Sequence, residues 1–167
     1  MKTLALTPKD FEWTQWKKTD MQAAAEVAVA YLVETKRAIK KIAAPDRAFA
    51  NTIWPYEQAM AGIVTLQCKL HLLASVALRH DARLAAHRTA KWVHAKLVDL
   101  LYDVGLYLAF KDYAATRENI APDAKRLLTF LIRDYRRMGM DLPGAKRAEI
   151  KRNTKSLNKL ILAFQKN

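Results

Sequence analysis

Four histidines, His71, His80, His87 and His94, and one cysteine, Cys68, are the residues in this chain best suited to hold a transition metal. His80, His87 and His94 recur every seven residues, so they line one face of a helix. Seven helical residues rise about 10 Å, too far for one ion to bridge. Cys68 and His71 share a face at a three-residue spacing, but two ligands do not complete a zinc site. Neither HExxH, nor a glycine-rich phosphate loop, nor GxSxG occurs. Glu26 and Glu34 lie eight residues apart and read as solvated surface rather than an acid–base pair. No catalytic constellation emerges, and no metal or cofactor is expected.

The strongest polar feature is basic. Lysine and arginine number 29 against 16 acids, a formal charge of +13. Such an excess favours acidic partners. From Lys125 to Asn167 twelve cations face three acids, 12 − 3 = +9. Lys151, Lys155 and Lys159 repeat every four residues on one helical face, and Arg133, Arg136 and Arg137 cluster upstream. These six residues are the candidate binding set. Aromatic residues do not alternate with the cations, as a single-strand stacking platform would require.

Helices must position these groups. Four glycines and five prolines are too few for an all-β fold. Thr7-Pro8 suggests a cap and first turn. Asp20 caps a helix over about 21–43, with Val27, Tyr31, Ala38 and Ile42 on its inner face. Residues 45–54 form a connection. Pro55 opens a second helix to about Leu78, buried through Met60, Ile63, Val64, Leu70, Leu73 and Ala77. A third runs over about 81–115; its middle, Trp92 to Phe110, is apolar nearly all round and reads as central. Gly62 and Gly105 mark close helix approach or a kink. Pro122 starts a fourth helix, striped by Leu127, Leu128, Leu131, Ile132, Tyr135 and Met138 and stopped by Gly139. Leu142-Pro143 starts the last, with Ile150, Leu157, Leu160, Ile161 and Phe164 facing inward. The expected fold is all-α: a single domain over 1–167, an antiparallel bundle of about five helices.

A lone cysteine excludes an internal disulfide. The N-terminus lacks a secretory apolar core, and residues 59–78 are broken by Gln67, Lys69 and His71, which argues against a membrane span. A cytoplasmic protein is expected.

Three segments carry a family resemblance. Phe49-Ala-Asn-Thr-Ile matches an F-x-N-T-[IV] helix entry. Leu127 to Pro143 matches R-L-L…R-D-x-R-R-x-G-x-x-L-P. Residues 151–167 resemble a helix ending in F-x-x-N. In this order they resemble the N-terminal helical region of the thimet oligopeptidase and neurolysin family of zinc metallopeptidases, over two thirds or more of the chain. The resemblance implies a helical wall of a peptide-admitting channel. The family's zinc lies on an HExxH helix far downstream, which this chain lacks.

The expectation is a non-catalytic relative of that region, binding a peptide or an acidic protein surface and open to homo-oligomerisation. An exposed apolar patch on the third or last helix would support it. The alternatives are a truncated fragment of an active oligopeptidase, a basic nucleic-acid-binding protein, and a bundle recruited to small-molecule chemistry. The last would use Tyr31, Tyr102, Tyr107 or a histidine as an acid.

Overall fold

A computed structural model describes residues 8–164. The expected Thr7 cap lies outside the described residues. After a 3-10 turn at Pro8–Gln15 come six helices: α1 (Lys18–Lys41), α2 (Trp54–Val76), α3 (His80–Leu101), α4 (Val104–Thr116), α5 (Pro122–Arg137) and α6 (Gly144–Phe164). No strand occurs among the described residues. The all-α bundle therefore stands, with six helices rather than about five.

The extra helix comes from a break in the expected third one. Tyr102 and Asp103 leave helical geometry, and Asp103 restarts the chain by accepting the Leu106 N–H at 3.1 Å. Asp103 also pairs with Lys36 and Lys40 of α1 at 3.1 and 2.8 Å. A Cβ on Gly105 would stand 3.1 Å from Lys40 Cδ, so α1 approaches closely there. Gly62 has open space instead, and the close approach expected at that position is absent.

At the start of α1, Asp20 lies inside the helix rather than before it. Its carboxylate accepts the Lys17 N–H at 2.7 Å, satisfying a donor just ahead of the first turn. Residues 49–53 form a π-helical turn running straight into α2, where a plain connection was expected. Asn51 Oδ1 accepts the N–H of Ala48, the residue before the turn, at 2.9 Å.

The core gathers Met21, Leu32 and Ile39 of α1, Ile63 and Leu70 of α2, Val93 of α3, Leu106 and Phe110 of α4 and Tyr135 of α5. α1, α2 and α3 all pack against one another, and the stretch expected to be central buries Val93, Leu97 and Val98 before the break and Leu106, Tyr107 and Phe110 after it. Trp92 and Leu108, within the stretch expected to be central, are 39% and 49% exposed. The segment 49–76 is long and apolar enough to cross a membrane by composition; here Tyr56, Ile63, Leu66, Leu70 and Leu73 bury its inner side in the core. Val64 points outward instead.

Two expected inner faces are turned around. On α1, Val27 and Tyr31 are exposed, Ala38 is exposed and Ile42 only half-buried. The buried side is Met21, Ala25, Leu32, Thr35, Lys36 and Ile39. That side carries Met21, Leu32 and Ile39 into the core, and Lys36 goes with them, its ammonium donating to the Leu100 carbonyl and pairing with Asp103. On α6, Leu157, Leu160, Ile161 and Phe164 all face solvent, and only Ile150 is partly buried.

The end of α5 follows expectation. Gly139 has φ +81°, Gly139 N–H donates to Arg136 O, and Met140 N–H reaches back to Tyr135 O at 3.1 Å. This closes the helix through a left-handed residue that glycine adopts without strain.

Candidate functional site

An open groove of about 980 Å3 lies between the start of α1, the α2–α3 turn and the first half of α3. Its apolar side chains are Trp16, Leu78, Leu84 and Trp92, over a floor of Ala25, Ala82 and Ala85. Leu78 is 99% exposed. A leucine so placed on a groove edge offers apolar area that none of the described residues covers.

The rim is charged. Lys17, Lys18, Arg79 and Arg88 line it beside Glu26 and Asp81. Arg79 clasps Asp81 with two hydrogen bonds, at 3.1 and 2.5 Å, and that contact holds the Asp81 carboxyl below its ordinary range. The pair offset each other, which leaves Lys17, Lys18 and Arg88 against Glu26. α1 and α3 both begin at this groove, so the positive ends of two helix dipoles add to the same field. An apolar floor under a net positive rim suits a ligand carrying both apolar groups and carboxylates.

A second polar arrangement is internal. Lys36 is 5% exposed. Burial pulls its ammonium below the ordinary lysine range and outweighs the Asp103 carboxylate, which acts the other way, while the Lys40 charge adds to the lowering. Burial by itself raises the Asp103 carboxyl. The Lys40 hydrogen bond, the Leu106 N–H and the Lys36 charge outweigh that and set it below the carboxylate range. Further in, the Tyr56 and Tyr135 hydroxyls share a hydrogen bond of 3.0 Å. The rings of Tyr107 and Tyr135 stack at 5.9 Å, and Phe110 meets Tyr135 edge-on. Burial pushes the Tyr56 phenol up to about 12 and raises Tyr135 as well. Groups held neutral and mutually bonded in a packed core organise the bundle and offer no open position to a substrate.

The candidate cations are engaged on two helices. Arg133 stacks 4.5 Å over Phe130 and pairs with Asp134 at 2.9 Å. Arg136 pairs with Asp141 at 3.2 Å, and Arg137 lies 3.9 Å from Asp134. Lys151 and Lys155 both reach Asp99 of α3, at 2.9 and 2.6 Å. The side chain of Lys159 lies outside the described residues. The lysine pair thus clamps α6 onto α3, while the arginines sit on α5.

Cys68, His71, His80 and His94 are exposed, and His87 is half-buried. Among the described residues, no three His, Cys, Asp or Glu side chains gather where one ion could sit. Of the three tyrosines considered as acids, Tyr31 is exposed, Tyr102 bonds Thr154 at 2.8 Å and Tyr107 donates to Asp141 at 2.7 Å. None lines the groove.

Sequence reasoning missed the groove. Its apolar members come from three separate segments, and only Trp92, set between Arg88 and Lys96, carried a local signal.

A curated protein of Arabidopsis thaliana, described as a probable thimet oligopeptidase, is 26% identical to the chain over 132 residues. The similarity supports a relation to that family. The matched stretch covers 78% of this chain but only 18% of the relative's length. No protein-family model matches the chain. In the thimet oligopeptidase-like segments, Phe49-Ala-Asn-Thr-Ile builds the π turn into α2, and Gly139 builds the α5 stop.

Proposed function

We propose that this chain is a non-catalytic binding module, related to a region of a thimet oligopeptidase, that takes a peptide or an acidic protein segment in the α1–α3 groove. One observation carries the reading: Leu78, Leu84 and Trp92 stand exposed beside a half-buried Trp16 in a groove whose rim is net positive. An extended acidic peptide would lay apolar side chains on the tryptophans and carboxylates against Lys17, Lys18 and Arg88. The rim charges would steer encounter, and the apolar contacts would set the off-rate.

The test is a tryptophan-fluorescence titration with a short peptide of glutamates and leucines, beside the same peptide with lysine for glutamate. The glutamate peptide binds and perturbs the emission; the lysine peptide does not. Trp92→Ala and Arg88→Glu each weaken binding by roughly tenfold, the loss of one buried anchor or one inverted charge. Equal binding of both peptides, or indifference to both substitutions, removes the groove as the site.

A second reading has its own support. The chain spans 18% of its relative's length, so it also fits a segment of a longer zinc oligopeptidase in which this bundle shapes a peptide channel. Reading the coding sequence past Asn167 decides this: an HExxH downstream in the same frame establishes it, and an in-frame stop removes it.

A further inference from the structure

Helix α6 is docked the wrong way round for an amphipathic helix. Such a helix ordinarily buries its apolar stripe and shows its charges to water. α6 meets α3 through polar groups instead. Lys151 and Lys155 hold Asp99, Thr154 bonds the Tyr102 hydroxyl, and the Lys151 ammonium lies 5.9 Å over the Tyr102 ring. Leu157, Leu160, Ile161 and Phe164 follow at the i, i+3, i+4, i+7 spacing of one continuous stripe. They are 57%, 68%, 45% and 81% exposed. Four large apolar side chains in a row on the outside of a helix form a seam awaiting a partner helix.

Charge identifies the partner. α6 carries Lys146, Arg147, Lys151, Arg152, Lys155 and Lys159 against Glu149 alone, 6 − 1 = +5. Asp99 offsets part of this on the side facing α3. A second copy of this chain would bring the same +5 helix to a two-fold contact, on a protein already at +13. Like charges flanking an apolar seam oppose pairing, and opposite charges select it. We infer that the outward stripe of α6 docks an acidic amphipathic helix of another protein, apolar face on Leu157, Leu160, Ile161 and Phe164 and carboxylates against the α6 cations. This site is separate from the groove, which lies at the start of α1 and α3, and does not rest on its being occupied.

The probe is a fluorescein-labelled synthetic helix with leucine at the i, i+3, i+4, i+7 positions and glutamate between, measured by anisotropy against the full chain. A twin with lysine for glutamate is the control. The glutamate helix binds, and its affinity falls by roughly tenfold or more between low and high salt, as screening of several ion pairs requires. Leu160→Asp/Phe164→Asp abolishes binding, and circular dichroism shows the fold retained, since both positions are exposed. Trp92→Ala, in the groove, leaves it unchanged. Three results overturn the inference: no binding of the glutamate helix, equal binding of the lysine helix, or binding that survives Leu160→Asp/Phe164→Asp. Sedimentation as a dimer that the double substitution dissolves also overturns it, since the seam's occupant is then a second copy.

Discussion

Replacing Asp103 by alanine removes three contacts at once. Its Oδ1 caps α4 through the Leu106 N–H, and its Oδ2 pairs with Lys36 and Lys40. Loss of an N-cap costs about 1 kcal/mol. The Lys40 pair, its lysine 38% exposed, contributes under about 1 kcal/mol. The Lys36 pair dominates, because Lys36 is then left as a buried ammonium with only the Leu100 carbonyl. Breaking such a pair costs about 3 kcal/mol, the low end for buried pairs, since the Asp103 side chain keeps 18% exposure. Asp103→Ala should therefore lose about 4 kcal/mol in all, a urea midpoint lower by about 2 M at a slope of about 2 kcal/mol per molar. The decisive companion is Lys36→Met. Alone it should be near neutral, because Asp103 keeps Lys40 and the Leu106 N–H while a costly buried charge goes. In the Asp103→Ala background it should restore most of the Lys36 share, about 3 kcal/mol. Urea unfolding followed by circular dichroism reads all four corners of the cycle. A loss below about 1 kcal/mol for Asp103→Ala, or no recovery in the double variant, would refute this account of the α3–α4 break.

Other outcomes follow from the same structure. Tyr135→Phe should cost about 1–3 kcal/mol because it strands the Tyr56 hydroxyl, whereas Tyr56→Phe/Tyr135→Phe should cost less than the two single losses combined. Stability should fall as pH rises above about 10: the unfolded chain then sheds phenolic protons that the buried tyrosines keep, at about 2 kcal/mol for Tyr56 by pH 12. Lys36 works in the opposite sense, since its lowered pKa means the unfolded chain holds that proton more tightly and stability gains as pH rises toward 10.5. The double tyrosine variant should make the falling limb shallower, leaving the part that Tyr107 and Tyr113 supply, and should leave the rising limb unchanged, which denaturation at stepped alkaline pH would display. Gly139→Ala should lower Tm by about 5 °C or more, because φ +81° strains an L-residue and the new Cβ would lie 2.6 Å from Ile150 Cδ1. An unchanged Tm would mean that the α5–α6 turn opens at little cost.

What the sequence determined by itself is local. Pro55, Pro122 and Pro143 lack an N–H and hold φ near the helical value, so they mark helix starts whatever packs around them. Gly139 marks the α5 stop for an equally local reason. The stripe of α5 was legible too, since its apolar face is continuous and ends in the buried Tyr135. Tertiary structure decided the rest. α3 and α4 separate because the carboxylate of Asp103 is drawn to two lysines more than sixty residues away, which no window of sequence displays. α1 has two candidate inner faces, and the one buried is that whose Met21, Leu32 and Ile39 meet the apolar side chains of the other helices, with Leu100 and Asp103 there to receive Lys36. α6 shows the limit of periodicity: its stripe has the right spacing, but Asp99 and Tyr102 hold the helix by its polar side and turn the stripe to solvent. The groove has the same origin, for its tryptophans lie on segments 76 residues apart and meet only once α1 packs across α3. Helix ends are written in the backbone chemistry of single residues; helix faces are chosen by partners that only the fold brings near.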